Sequence, residues 1–348
     1  MMDSHKLVHL SPLLCLLLVL HLSGQAESLL KHDDAPTKLF VFGDSYADTG
    51  NIRKGLANSW KDPYGVTFPG KPAGRFSDGR VLTDYIAKYL KVKSPVPYRL
   101  RKLMPQHLKY GMNFAFGGSG VFDTSVPAPN MTTQIDLLQQ VISYKVYTAS
   151  DLANSVAFLS VAGNDYSQYL AINGSVQGLP SFVAQVINQT TTNMIRIQRL
   201  GVKKVVVGSL QPVGCLPQMT AQSSFQHCND TSNNLVLLHN TLLNQAVTVL
   251  NHNNTSSFVV LNIYESFLSV LNHPTTHNIQ SQLKPCCVGV SSEYSCGSVD
   301  QNNVKKYQVC DEPKSSFFWD MVHPTEAGWR AVYNKLRTMN ALQQIHVY

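Results

Sequence analysis

The chain has 348 residues, of which 44% are hydrophobic and 14% are charged, and its formal net charge is +7. This apolar content can form a sizeable core, and the low charged fraction excludes a disordered chain and a coiled coil. We therefore expect a compact enzyme or binding protein.

The N-terminal apolar run, residues 7–22, predicts a secretory signal peptide, because it follows Lys6 and precedes small residues that end at Ala26. A membrane anchor needs about 20 uninterrupted apolar residues. This run is interrupted by Ser11, Pro12 and His21. We expect residues 1–26 to be removed, and residues 27–348 to be secreted as a single domain with no stable membrane insertion.

Short β-branched and aromatic runs alternate with longer amphipathic stretches, as in parallel strands joined by crossover helices. The predicted strands are residues 38–42, 112–116, 155–161, 203–207 and 257–263. The predicted helices lie around residues 79–89, 133–147, 181–200 and 234–250. Because the strands are almost continuously apolar, helices should cover both faces of the sheet. The sequence therefore predicts an α/β fold with a five-stranded parallel sheet.

Glycine stands beside a polar residue after each of the first three predicted strands. These loops contain Ser45, Gly118 and Asn164 respectively. Ligands bind parallel sheets beyond the carboxyl ends of the strands, where such loops converge. We expect the three loops to share one site.

Ser45 can act as a nucleophile if an imidazole accepts its proton, and the imidazole needs an acceptor for its other nitrogen. Asp320 precedes His323 by three residues, so a turn would bring the two side chains together. The structural alternatives are a helix N-cap role for Ser45, and a helix cap or a surface pair for Asp320 and His323. Oxyanion donors would be the N–H groups of Ser45 and Gly118 and the amide of Asn164, although the last two could simply be turn residues.

Five blocks of the mature sequence carry a specific resemblance, at residues 42–51, 74–80, 113–118, 163–166 and 319–325. In content and order they resemble the plant GDSL esterase/lipases of the SGNH hydrolase superfamily. The resemblance implies Ser45 as nucleophile and oxyanion donor, Gly118 and Asn164 as the other donors, and His323 as base with Asp320 as its partner. It also implies a flavodoxin-like three-layer α/β/α fold with a five-stranded parallel sheet.

One departure from the family pattern follows the nucleophile, where Tyr46 replaces the usual leucine. The other is Thr49-Gly50-Asn51-Ile52, where Asn-Asn after Asp-x-Gly is more common in the family. Neither position carries a reacting group. We expect both to affect pocket shape more than activity.

Six cysteines remain after removal of Cys15, an even number that favours disulfides in a secreted protein. They are Cys215, Cys228, Cys286, Cys287, Cys296 and Cys310. A bond between the adjacent Cys286 and Cys287 would be strained, so each should pair with Cys296 or Cys310, leaving Cys215 for Cys228. A zinc site is the alternative, although paired C-x-x-C ligands are absent.

Acceptor triplets for N-glycosylation support the same secreted class. They begin at Asn130, Asn173, Asn188, Asn229, Asn253 and Asn254, the last two overlapping. His239, in a polar helical stretch, is expected to be solvated rather than catalytic.

No phosphate-binding loop or dinucleotide fingerprint follows a strand, so the sequence implies no organic cofactor and no metal. The G-x-S-x-G motif is absent from the mature sequence, which argues against an α/β-hydrolase lipase. The basic region 88–109 is predicted to be a solvated loop, with an acidic polysaccharide or an anionic membrane surface as the alternative partner. Nucleic acid is not expected outside the cell.

The resulting hypothesis is a secreted, monomeric serine esterase or lipase acting through an acyl-serine intermediate. Its substrate would be an ester of a lipid, a polyester, an acetylated glycan or a small molecule. One alternative is an acyltransferase that uses the same acyl-enzyme. The other is a catalytically silent carbohydrate-binding or defence glycoprotein.

Overall fold

A computed structural model describes residues 38–160, 163–252 and 257–346. Its main sheet has six parallel strands in the order β2-β3-β1-β4-β5-β6. The strands are β1 (Lys38–Gly43), β2 (Val96–Pro97), β3 (Gly111–Asn113), β4 (Ser155–Ser160), β5 (Lys204–Gly208) and β6 (Phe258–Leu261). The predicted parallel α/β sheet is confirmed. The predicted signal peptide lies outside the described residues.

The predicted strand number, five, is wrong, because β2 adds a sixth strand at the edge of the sheet. This strand has only two residues and ends in Pro97. Proline is tolerated at a sheet edge, where its missing N–H leaves no ladder position unpaired. A strand this short produces no alternating pattern that a sequence could reveal.

The α-helices of the described residues are α1 (Leu82–Tyr89), α2 (Met131–Ser143), α3 (Ala149–Ala153), α4 (Asn164–Ala171), α5 (Leu179–Arg199), α6 (Pro217–Thr220), α7 (Asp230–Leu250), α8 (Ile263–Asn272) and α9 (Glu326–Thr338). Helices α1, α8 and α9 pack on one face of the sheet. Helices α2, α5 and α7 pack on the other. No helix in the described part of the chain is long and apolar enough to cross a membrane.

The two apolar cores are explained by the alternation of side chains along the central strand β1. Leu39 and Val41 point into the core beneath α1, α8 and α9. Phe40 and Phe42 point into the other core, and all four side chains are fully buried. Burial of such a side chain stabilises the fold by about 1.5–3 kcal/mol. A strand that is apolar at every position is therefore what a sheet with helices on both sides requires.

Two helices begin earlier than predicted because an asparagine caps each of them. Asn130 Oδ1 accepts the N–H of Thr133 at 2.9 Å before α2, and Asn229 Oδ1 accepts the N–H of Ser232 at 2.9 Å before α7. Such a cap satisfies one of the N–H groups that a helix start leaves unpaired.

Strand β3 ends at Asn113, three residues before the predicted end at Phe116. The amide of Asn51 donates to the carbonyls of Asn113 and Ala115, each at 2.8 Å. The Asn51 side chain thus supplies the hydrogen bonds that a neighbouring strand would supply.

The six cysteines form three pairs, Cys215–Cys228, Cys286–Cys310 and Cys287–Cys296. Between the pairings that the sequence left open for Cys286 and Cys287, the structure selects these two. They brace an antiparallel hairpin of β7 (Cys287–Gly289) and β8 (Tyr307–Val309). Since all six thiols of the described residues are paired, none of them is left to ligate zinc.

His239 is fully buried, which contradicts the expectation that it is solvated. Its Nδ1 contacts the Tyr166 hydroxyl at 2.5 Å, and its buried Nε2 has no partner within the described part of the chain. Burial lowers the pKa of His239 to about 4. The ring is therefore neutral at physiological pH.

This buried imidazole should make stability depend on pH. Between pH 4 and 6.5 the unfolded chain binds a proton at His239 that the folded chain does not, so stability falls as pH falls through this window. His239→Gln removes that titration. The test measures the free energy of unfolding in urea at pH 7 and at pH 4.5. Between these two values it should fall by about 2 kcal/mol less in the variant than in the native protein.

Burial raises the pKa of Asp48 to about 6, so this group contributes a slope of the opposite sign. The comparison is therefore made between variant and native protein, which share Asp48. An identical pH dependence in both would contradict the assignment to His239.

Candidate active site

Three of the predicted site residues lie beyond the carboxyl ends of three adjacent strands, β3, β1 and β4. Ser45 follows β1, Gly118 lies in the loop after β3, and Asn164 opens α4 after β4. The chain runs from β1 to one side of the sheet and later returns to the other side. Such a reversal beside β1 leaves a crevice beyond the strand ends. This topology explains why the three loops face a common place.

Ser45, His323 and Asp320 lie in a line. His323 Nε2 is 2.8 Å from Ser45 Oγ, and His323 Nδ1 is 2.9 Å from both carboxylate oxygens of Asp320. Ser45 is 8% exposed and Asp320 is 7% exposed, so the line is mostly shielded from water. Residues 278 positions apart are thus within hydrogen-bond distance of each other.

Asp320 is held by a tight turn and carries a charge. Its Oδ1 accepts the backbone N–H groups of Val322 and His323, each at 2.8 Å. Burial acts to raise the pKa of Asp320, but the neighbouring His323 and the donated hydrogen bonds outweigh it and keep this pKa below the ordinary value. The carboxylate is therefore ionised at neutral pH.

Tyr64 also contacts this carboxylate, and sequence reasoning missed it. Its hydroxyl donates to Asp320 Oδ2 at 2.7 Å, and its ring meets Trp319 edge-on at a centroid distance of 6.0 Å. Burial, together with the charge of Asp320, raises the pKa of Tyr64, so the hydroxyl keeps its proton. No sequence signal links residues 256 positions apart.

The Trp319 segment rests on two of the disulfides. Cys287 donates its N–H to the carbonyl of Trp319 at 2.6 Å, and Cys286 donates to Phe318 at 3.0 Å. Trp319 is fully buried in a cluster with Tyr64 and the cysteines. The hairpin therefore supports the backbone that leads into Asp320.

The block at residues 74–80 holds the segment after His323. The hydroxyl of Ser77 donates to the carbonyl of Pro324 at 3.0 Å, and Asp78 accepts the N–H of Glu326 at 2.7 Å. The ring of Phe76 lies 5.0 Å from that of His323. These contacts assign the block a positioning role that the sequence alone did not reveal.

Tyr46 reaches the His323 segment rather than only lining a pocket. Its hydroxyl donates to the carbonyl of Val322 at 2.8 Å, and its ring lies 5.6 Å from the His323 ring and 5.2 Å from Trp329. It is buried. The tyrosine at this position thus joins the nucleophile loop to the loop of the base.

Asp48 joins the nucleophile loop to the Gly117-Gly118 loop. Its carboxylate accepts four backbone N–H groups at 2.6–3.0 Å, from Gly50, Asn51, Ile52 and Gly117. Four donors to one buried carboxylate fix the backbone around it.

The three predicted oxyanion donors lie in the loops that follow β1, β3 and β4. Among the described residues, no acceptor pairs with the N–H of Ser45 or of Gly118. Gly118 has φ +80°, and a Cβ there would lie 2.6 Å from Val126, so this turn requires glycine. The Asn164 amide donates one hydrogen to the carbonyl of Ser119 at 2.9 Å, which orients the group and leaves its second hydrogen for a ligand.

Comparison with known proteins identifies a matching family and its relatives. The family model described as GDSL-like Lipase/Acylhydrolase matches residues 39–336. In Arabidopsis thaliana, GDSL esterase/lipase At5g03610 is 57% identical over 87% of this chain and 86% of its own length. GDSL esterase/lipase At3g09930 of the same plant is 53% identical over 86% of this chain and 87% of its own length.

One solved structure is a distant match. A catalytic mutant of Axe2, an acetylxylan esterase from Geobacillus stearothermophilus, aligns with 90% of this chain and 96% of that chain at 14% identity, with a TM-score of 0.42. A likeness of this extent carries no information about substrate.

Proposed function

Because this chain belongs to the GDSL-like lipase/acylhydrolase family and is an ester hydrolase, we propose that it cleaves carboxylic esters through an acyl-Ser45 intermediate. The observation that carries this proposal is the line from Asp320 through His323 to Ser45, with separations of 2.9 and 2.8 Å. A serine beside an oriented imidazole is the arrangement that activates a hydroxyl as a nucleophile.

In the first half-reaction, Ser45 Oγ attacks the ester carbonyl while His323 Nε2 takes the hydroxyl proton. Asp320 stabilises the imidazolium through Nδ1 and does not itself become protonated. The negative charge on the carbonyl oxygen is met by the N–H groups of Ser45 and Gly118 and by the amide of Asn164. His323 then protonates the leaving alcohol, and the acyl group stays on Ser45.

In the second half-reaction, water takes the place of the alcohol. His323 removes a proton from this water as the water attacks the acyl carbonyl, and the same three donors hold the oxyanion. Collapse of the tetrahedral intermediate returns the proton to Ser45 Oγ and releases the acid.

An alkyl fluorophosphonate provides the test, because Ser45 would displace its fluoride and form a stable phosphonyl ester. One equivalent should abolish hydrolysis of p-nitrophenyl butyrate, and peptide mass spectrometry should place the added mass on Ser45. Full activity after stoichiometric treatment, or the label on another residue, would contradict the proposal.

We also propose that the protein is secreted. The N-terminal apolar run supports this, as do three disulfide pairs, because such bonds persist in oxidising compartments. Of the predicted glycosylation sites, Asn173 and Asn188 are exposed, and Asn130 and Asn229 are half-buried helix caps. Asn253 and Asn254 lie outside the described residues. A secreted product whose N-terminus follows residue 26 is the expected result, and retention of the full chain inside cells would contradict it.

A further inference from the structure

An apolar cavity of about 470 Å³ lies between the loops after β4 and β5 and the first turns of α7. Its apolar walls include Leu170, Val176, Leu179, Val213, Met219 and Leu235. Cavities that bind small ligands span roughly 300–1,000 Å³ and are lined mainly by such side chains. Neither the relay nor the oxyanion donors belong to this lining, so the mechanism leaves the cavity without a role.

Two walls of the cavity continue into the loops of the active site. Gly163, which lines it, immediately precedes Asn164. Gln218, on another wall, donates its N–H to the carbonyl of Met321 at 2.9 Å, two residues before His323. The lining of the cavity is therefore continuous along the chain with the loop of an oxyanion donor and hydrogen-bonded to the loop of the base.

We propose that the cavity binds the unbranched aliphatic acyl chain of the ester, an inference that rests on the proposed function. Asn164 donates to the acyl carbonyl oxygen, whereas the alcohol must face His323 to receive its proton. Gly163 directly precedes Asn164, whereas Gln218 contacts the backbone of Met321 two residues away from His323, so we assign the cavity to the acyl side. Transfer of a hydrocarbon chain from water to an apolar lining is favourable. The same lining offers few hydrogen-bond partners to a sugar or another polar acid.

The size of the cavity selects medium to long chains. At roughly 30 Å³ for each small group, the share of one water molecule in the liquid, the volume accommodates about fifteen non-hydrogen atoms. An acetyl group would leave most of it unfilled. Two apolar residues of its lining, Leu170 and Val176, are 47% and 67% exposed, so the cavity has an apolar rim through which a chain can enter.

The experiment compares kcat/KM for p-nitrophenyl acetate, butyrate and octanoate, each below its micelle concentration, with the full secreted protein. Removal of one methylene group from water changes binding about fourfold. We expect octanoate to exceed acetate at least about tenfold. Equal kcat/KM values along the series would overturn the proposal.

Leu170→Asp and Val176→Asp place a charge in the apolar lining at exposed positions that tolerate it. Each should lower the ratio of octanoate to acetate kcat/KM about tenfold, because the chain would have to desolvate a carboxylate. Ile172→Asp is the matched control, since this apolar residue lies between the other two, is 66% exposed and does not line the cavity. It should leave the ratio unchanged. The same ratio in all three variants would overturn the assignment.

A second ester series separates the acyl chain from the alcohol chain. Alkyl acetates of increasing alcohol length should show no comparable gain, and a gain confined to this series would overturn the assignment to the acyl side. Ser45→Ala separates the two proposals. If Ser45→Ala abolishes hydrolysis but the native protein shows no preference along the acyl series, only the cavity assignment is rejected. If hydrolysis survives in Ser45→Ala, the acyl-serine mechanism is rejected.

Discussion

Ser45→Ala should lower kcat for p-nitrophenyl butyrate at least about a thousandfold. The substitution removes the atom that would carry the acyl group, and the imidazole of His323 then has no hydroxyl to activate. The oxyanion donors and the cavity stay in place, so a small residual rate from binding and electrostatic stabilisation should persist. Steady-state kinetics with purified protein measure this effect.

Ser125→Ala is the matched control, because this serine is exposed in the loop that follows Gly118 and contacts no reacting group. Its kcat should stay within twofold of the native value, roughly the scatter expected of a neutral surface substitution. Equal melting temperatures for both variants would exclude unfolding as the cause. A Ser45→Ala rate close to the native rate would remove Ser45 from the mechanism.

Asp320→Asn should lower kcat by about 10⁴, the loss seen when an orienting carboxylate becomes an amide. Asp320 faces His323 Nδ1 with both oxygens at 2.9 Å, so the imidazole presents the bare Nε2 to Ser45. An amide nitrogen at that place would favour the other tautomer and could not stabilise the imidazolium. Since the pKa of Asp320 is held below the ordinary value, the loss should be seen throughout the neutral range.

Tyr64→Phe tests the same carboxylate by a smaller change. It removes one hydrogen bond to a charged group, worth roughly 1.5–3 kcal/mol, and keeps the ring against Trp319. We expect kcat to fall roughly ten- to hundredfold, with KM little changed because Tyr64 contacts the relay and not the substrate. Asp320→Asn activity within tenfold of native, or a Tyr64→Phe effect confined to KM, would contradict these roles.

The sequence was most informative where one residue determines the local structure. An all-apolar strand such as Phe40–Phe42 indicates burial on both sides, and a glycine one or two residues before Asn164 or Ser45 marks a strand end. Parallel topology then places those ends along one edge of the sheet. Three loops could therefore be assigned to one site without coordinates.

Contacts between distant segments could not be predicted, because nothing in the local pattern records them. Tyr64 reaches Asp320, Tyr46 reaches Val322, and His239 is buried against Tyr166. In each case the tertiary packing of a polar side chain decides its environment, while its sequence neighbours suggest only a loop or a polar helix. Strand β2 was not predicted for a related reason. Its two residues form a strand because they pair with β3, and so short a segment has no pattern of its own.

A crystal structure of the phosphonylated protein tests the nucleophile and the oxyanion donors together, because the adduct resembles the tetrahedral intermediate. We predict phosphorus bonded to Ser45 Oγ, with its non-bridging oxygen 2.7–3.1 Å from the N–H groups of Ser45 and Gly118 and from the amide of Asn164. A phosphonyl group on Ser45 whose oxygen points to solvent, or an adduct on another residue, would contradict the proposed mechanism.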